Sequence, residues 1–207
     1  MKCHPEYRYF LFIPGYICCF FIMEHLVPSD CEYWVSYCRL DDYIPFLDFF
    51  VIPYVMWYPF LLAAGLGLMF HDIPELKRYV WFMIAGFGFS MVFCIVFPNG
   101  QDLRPATFAH ENFFTWLLER VYAADTNTNV LPSMHIIGCV AACIGVFRSP
   151  PLRRWRLPIL IAAILICSST VFVKQHSILD IFAGIAVCIP LWFIFYFRRP
   201  RAKRKTD

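Results

Sequence analysis

Charge is scarce in this sequence: Asp, Glu, Lys and Arg make up 16% of its 207 residues, whereas 60% are hydrophobic and 19% aromatic. A water-soluble domain of this length has too little interior to hide so much apolar surface, so the bilayer is the expected solvent. No stretch reads as a soluble domain, and no internal repeat is visible. The first apolar run lacks a small-residue cleavage site; Leu26-Val27-Pro28-Ser29-Asp30 follows it instead, so it reads as an uncleaved anchor rather than a removable signal peptide. An acidic cluster of the kind that holds two metal ions is also missing.

What the chain does have is six apolar runs, at 9–25, 44–70, 79–97, 131–147, 157–173 and 178–197. A helix of about 20 residues crosses a hydrocarbon core, and the fourth and fifth runs are short for that. The expected fold is all-α: a polytopic membrane protein with six transmembrane helices in one bundle, forming a single domain over 1–207 with a basic tail at 198–207. With both ends on one side, that side holds 14 of the 18 Lys and Arg residues, and the other keeps only Arg39, Arg104, Arg120 and Lys174. Positive residues stay cytoplasmic, so both termini are expected inside a cell membrane. The basic tail reads as a topology signal and an anionic-lipid contact, not as a nucleic-acid site.

Within this frame, Pro53 and Pro59 imply kinks in the second run, and Gly86, Gly88 and Ser90 give the third a small-residue face. Residues 71–78 read as a tight inner loop. Asp48 suits either headgroup selection or a structural role at the interface. Cys31 and Cys38 lie in an acidic outer loop and are open to two readings, a small disulfide loop or free thiols. The long connection at 97–130 carries a mixed apolar and charged stretch over 107–122, the pattern of an amphipathic helix on a membrane surface.

Chemistry concentrates at the ends of the runs. His176 and Asp180 share one helical face a turn apart, close enough to hydrogen-bond. A carboxylate on one imidazole nitrogen frees the other to act as base or nucleophile. The alternative is a capping histidine beside a paired structural carboxylate. Pro132 and Ser133 read as a helix start, where free N–H groups and the dipole favour an anion, and His135 lies beside them. In this topology Arg104, Ser133, His135, Lys174, His176 and Asp180 all fall at the outer surface. Two histidines, an orienting carboxylate and two cations suit phosphoryl transfer, which needs no added metal and no cofactor. A metal triad of His135, His176 and Asp180, and a non-enzymatic lipid binder using the same pocket, are the competing readings.

At these residues the sequence resembles the type 2 phosphatidic acid phosphatase superfamily, whose blocks are a Lys then Arg-Pro, a Pro-Ser-x-His, and a Ser-Arg followed by His-x-x-x-Asp. Arg104-Pro105, Pro132-Ser133-Met134-His135 and His176-x-x-x-Asp180 match in order. The resemblance implies that His176 is the nucleophile, that Asp180 orients it, that His135 is the acid and base, and that Arg104 and Ser133 bind phosphate. The first-block lysine falls at Phe97 and the third-block Ser-Arg at Ser169-Thr170, leaving Lys174 as the expected substitute cation. The implied activity is hydrolysis of a lipid phosphomonoester or pyrophosphate. The Gln175-His176 form is also similar to the inositol phosphotransferase branch, as in inositol phosphorylceramide synthases, which implies transfer of a phosphorylated headgroup to a lipid alcohol. Substrate lipid and membrane are the expected partners.

Overall fold

The structure, a computed structural model, describes residues 9, 11–27 and 32–197. Cys31, and with it the Cys31–Cys38 pairing, lies outside the described residues, as does the basic tail at 198–207. The chain is mainly helical: α1 (Phe12–Leu26), α2 (Val51–Val55), α3 (Trp57–His71), α4 (Ile73–Val96), α5 (Phe113–Ala124), α6 (Met134–Arg148), α7 (Arg156–Phe172) and α8 (Ile178–Trp192). A parallel pair of two-residue strands, β1 (Trp34–Val35) and β2 (Asn99–Gly100), joins the first loop to the long connection.

Among the described residues, four helical stretches are long and apolar enough to cross a membrane: Asp48–His71, Ile73–Val96, Pro150–Phe172 and Ile178–Phe197. The helices in the first and fourth apolar runs, α1 and α6, have 15 residues each. At 1.5 Å per residue they rise about 22 Å, short of a hydrocarbon core of about 30 Å. For α6 the reason lies in the sequence: Pro132-Ser133 precedes its first turn, and Ser149-Pro150-Pro151 ends it.

Two expectations on local structure need correction. The inner loop expected over 71–78 is almost entirely helix, because Asp72 alone separates α3 from α4. Its carboxylate caps α4 by accepting from the Glu75 N–H at 3.3 Å, and Pro74 suits the first turn. Glu75 then pairs with Arg78 one turn on and with Arg148 at 3.3 Å, so these charges satisfy each other. Gly88 has open space where a side chain would go, so the small-residue face of α4 rests on Gly86. A Cβ at Gly86 would lie 2.6 Å from the Ile137 side chain, so only glycine lets α4 approach α6 there.

Of the two prolines expected to kink the second run, Pro53 lies inside α2 and the break falls near Pro59. Met56 interrupts the second helical stretch between α2 and α3, three residues before Pro59, whose ring nitrogen has no hydrogen for the Val55 carbonyl. The central helix is α6, which packs on α3, α4, α7 and α8. It is buried along both its Ile136-Ile137 and Ala141-Ala142 faces. Large apolar side chains such as Trp81, Ile161 and Phe182 face outwards on the surrounding helices.

The bundle has two chemically different ends. One holds the tight α3–α4 and α6–α7 turns with Glu75, Lys77, Arg78, Arg148 and Arg154. The other gathers the loops that carry Arg104, Ser133, Lys174 and His176.

Candidate active site

The site is built where α6 and α8 begin. Ser177 caps α8 by accepting from the Leu179 N–H at 3.2 Å, and Asp180 returns to accept from the Ser177 N–H at 3.0 Å, a reciprocal cap. The same Asp180 Oδ2 faces His176 Nδ1 at 3.1 Å. Asp180 is fully buried and His176 is 6% exposed, so this contact is shielded from water. It orients the imidazole and leaves Nε2 for chemistry.

The second histidine is set by packing. His135, in the first turn of α6, has its ring centroid 4.7 Å from Tyr54, 4.5 Å from Trp57 and 5.5 Å from His176, with the two imidazoles edge to face. The helices that carry them are held together by Gly184, one turn beyond Asp180. A Cβ there would lie 2.8 Å from the Ile136 Cβ and 3.0 Å from the Ser133 carbonyl oxygen. The Ser133 N–H in turn donates to the Asp180 carbonyl at 3.3 Å. His135, His176, Asp180 and Ser133, singled out from the sequence, are thus brought together.

Arg104 lies one side chain away. Its guanidinium donates to Gln175 Oε1 at 2.7 Å, and to the Tyr122 and Asp125 carbonyls at 3.2 and 2.6 Å. It also stacks on the Tyr122 ring at 4.3 Å. Those carbonyls close the C-terminus of α5, where a cation is favoured by the dipole. Burial lowers the Arg104 pKa from its ordinary value, opposed by the neighbouring Asp125. Arg104 Nε and the Ser133 hydroxyl are buried with no hydrogen-bond partner among the described residues.

Lys174, expected as a phosphate-binding cation, is engaged elsewhere in this structure. Its ammonium donates to the carbonyls of Asp41 and Ile44 at 2.9 and 2.6 Å. It sits at φ 55°, in the left-handed region, which turns its side chain towards the first loop. Asp48 makes a structural contact: it accepts from the Asn112 side chain at 2.7 Å, and Asn112 caps α5. The amphipathic element expected over 107–122 is α5, shifted to Phe113–Ala124 by that cap. It buries Leu118 against Val51, Tyr54 and Val173.

Several site residues were not singled out from the sequence. Ser36 donates to Asp180 Oδ1 at 2.5 Å. Asp41, 1% exposed, accepts from the Ser177 hydroxyl at 2.6 Å, the Ile178 N–H at 2.8 Å and the Cys38 N–H at 2.9 Å. Glu24, near the end of α1, accepts from Asn129 and Thr126 at 2.8 and 2.7 Å. Asp125 accepts from the Tyr54 hydroxyl. The polar run Asp125-Thr126-Asn127-Thr128-Asn129 just before Pro132 was a readable signal for this cluster. Glu24, Asp125, Gln175, His135 and His176 border a small polar cavity of about 30 Å³. That is room for a water molecule.

Among the described residues, no group of three His, Cys, Asp or Glu side chains is arranged to hold a metal ion. No family model, no curated protein and no solved structure matches the chain.

Proposed function

We propose that the protein is a membrane enzyme that hydrolyses a lipid phosphomonoester or pyrophosphate through a phosphohistidine on His176. The observation that carries this reading is the shielded Asp180–His176 contact with His135 edge-on to His176 at 5.5 Å between ring centroids. This is a nucleophile, its orienting carboxylate and a neighbouring acid–base in one pocket.

In the first step His176 Nε2 attacks phosphorus and the bond to the lipid oxygen breaks, while His135 donates a proton to the departing alcohol or phosphate. In the second, water attacks the phosphohistidine, His135 takes its proton, the P–N bond breaks and phosphate leaves. Arg104 Nε and the Ser133 hydroxyl, two of the buried groups without partners among the described residues, suit the phosphoryl oxygens. The adjoining polar cavity of about 30 Å³ suits water as the acceptor.

Transfer of a phosphorylated headgroup to a lipid alcohol is the second reading, and one observation favours it. Among the described residues, the cavity is bordered by two carboxylates, Glu24 and Asp125, and by no Lys or Arg side chain. A singly charged phosphodiester meets less repulsion there than a doubly charged monoester.

In either case we infer six spans, with the short α1 and α6 accommodated by local thinning of the bilayer or by tilt of their neighbours. The site lies at the outer face and both termini are cytoplasmic, because Lys77, Arg78, Arg148, Arg153, Arg154 and Arg156 sit at the opposite end.

The test is phosphate release from phosphatidate in mixed micelles, with chelator present, for the parent protein and His176→Ala. Release that vanishes in the variant supports hydrolysis through His176. No release from the parent, but headgroup transfer when labelled phospholipid and a lipid alcohol are supplied, supports the second reading. Release that persists in a folded His176→Ala variant refutes both.

A further inference from the structure

A cleft opens on the flank of the bundle towards the end opposite His176. It occupies about 450 Å³ between α3 and α7, bordered by Val146 of α6 and by Leu152, within the range of small-molecule pockets. Helix packing creates it. Helix α2 lies against α7, but beyond the break at Met56 the chain continues as α3, which packs on α6 and the 150–155 turn more than on α7. Small residues deepen the gap, Ala63 and Gly67 on α3 and Ala162 on α7.

The wall changes character along its length. Its deep part is apolar up to Phe60, whereas His71, Arg154 and Trp155 line the other end. On α3 the lining runs from Phe60 to His71, eleven residues or about 16 Å of helix. Half of a hydrocarbon core is about 15 Å. Trp155 is 51% exposed, as suits an indole at the membrane–water interface, so Arg154 beside it lies at headgroup level.

The cations at that level are available. Glu75 is taken up by Arg78 and Arg148, and Asp72 caps α4. Among the described residues Arg154 pairs with no carboxylate; its guanidinium lies over the Trp155 ring at 5.7 Å. His71 spends Nδ1 on the Gly67 carbonyl at 2.9 Å, which leaves Nε2 for another partner. Both side chains are exposed.

A soluble anion has no use for the apolar depth of this cleft, and a neutral lipid has none for Arg154. We propose that the cleft binds an anionic phospholipid of the leaflet at that end of the bundle, which the orientation given above makes the cytoplasmic one. The phosphate sits on Arg154 and His71, and one acyl chain runs past Gly67 and Ala63 towards Phe60. This lipid is a resident ligand and not a substrate: the histidine pocket lies at the other end of α6, and binding is independent of turnover by His176.

The first test is the rise in the thermal unfolding midpoint of the detergent-solubilised protein on titration with dioleoyl phosphatidylglycerol or dioleoyl phosphatidylcholine. The parent is expected to bind the anionic lipid roughly tenfold more tightly than the neutral one. The double variant Arg154→Ala, His71→Ala is expected to lose that preference. Ala63→Trp, which fills the cleft from an exposed position, is expected to weaken both lipids. Lys77→Ala removes a cation from the same end outside the cleft and is expected to change neither. Equal affinity for the two lipids in the parent overturns the site. So does a loss in Lys77→Ala as large as in the double variant, or an equal midpoint rise with glycerol phosphate alone.

The second test locates the lipid. A phosphatidylglycerol with a photoreactive diazirine on one chain is crosslinked to the parent and to His176→Ala. Labelling of Ala63, Gly67 or Ala162 in both proteins supports the site whatever the fate of the catalytic reading. Labelling confined to the histidine pocket, or to outward-facing residues such as Trp81 and Phe182, overturns it.

Discussion

Ser36 and Asp180, 144 positions apart in sequence, meet at 2.5 Å, with the serine hydroxyl donating to the carboxylate that orients His176. Both residues are fully buried. The first loop therefore reaches across the bundle to fix the oxygen that His176 does not use. A buried carboxylate that loses a donor keeps its full desolvation penalty, about 1–3 kcal/mol. Ser36→Ala is expected to lower kcat roughly 5- to 100-fold with little change in KM, and Ser36→Thr to restore part of it. A Ser36→Ala enzyme with unchanged kcat would remove Ser36 from the positioning of His176.

Asp41 supports the same segment from outside. Its carboxylate collects three donors, and its own carbonyl holds the Lys174 ammonium at 2.9 Å. Removing a buried acceptor of this kind costs about 1.5–3 kcal/mol. Asp41→Ala is expected to destabilise the protein by that amount in thermal or denaturant unfolding in detergent, and to depress turnover with it. Lys174→Ala is expected to behave as a weaker form of the same lesion, with a loss of stability rather than a rise in KM. A large KM effect at full stability would return Lys174 to the substrate.

Close approach of α8 to α6 depends on Gly184. Its hypothetical Cβ meets Ile136 at 2.8 Å and the Ser133 carbonyl at 3.0 Å, and the second neighbour is backbone that yields little. Gly184→Val is expected to cost about 1–3 kcal/mol by overpacking. It is also expected to reduce turnover beyond the loss of folded protein, because it moves His176 from His135. Activity per folded molecule equal to the parent's would show that the helix spacing does not set the histidine geometry.

The proposed mechanism gives His135 a graded role and His176 an absolute one. His135→Ala is expected to slow turnover roughly 100- to 10,000-fold, the contribution of a positioned acid–base group. An effect smaller than tenfold would reassign it to packing between Tyr54 and Trp57.

The sequence carried the local half of this picture. His176 and Asp180 are four apart on one helix start, so their contact follows from helical geometry alone. The apolar runs located the long helices, because hydropathy over some 20 residues is a strong signal. Pro132 and Ser133 marked the start of α6 for the same local reason. The contacts of Ser36 and Asp41 with the α8 start span more than 130 positions and depend on how a short loop folds back. No periodicity encodes that. The contacts of Lys174 were not legible, because its place beside His176 in sequence says nothing of its direction at φ 55°.

The most direct test of the central claim is a trapped intermediate. The parent and His176→Ala are mixed with labelled phosphatidate, and in parallel with headgroup-labelled phospholipid, then quenched at alkaline pH within the first turnovers and digested. The account predicts an acid-labile phosphoryl or headgroup-phosphoryl adduct on the peptide carrying His176, absent from the variant. Turnover by the parent with no adduct on that peptide, or an adduct on another residue, would contradict it.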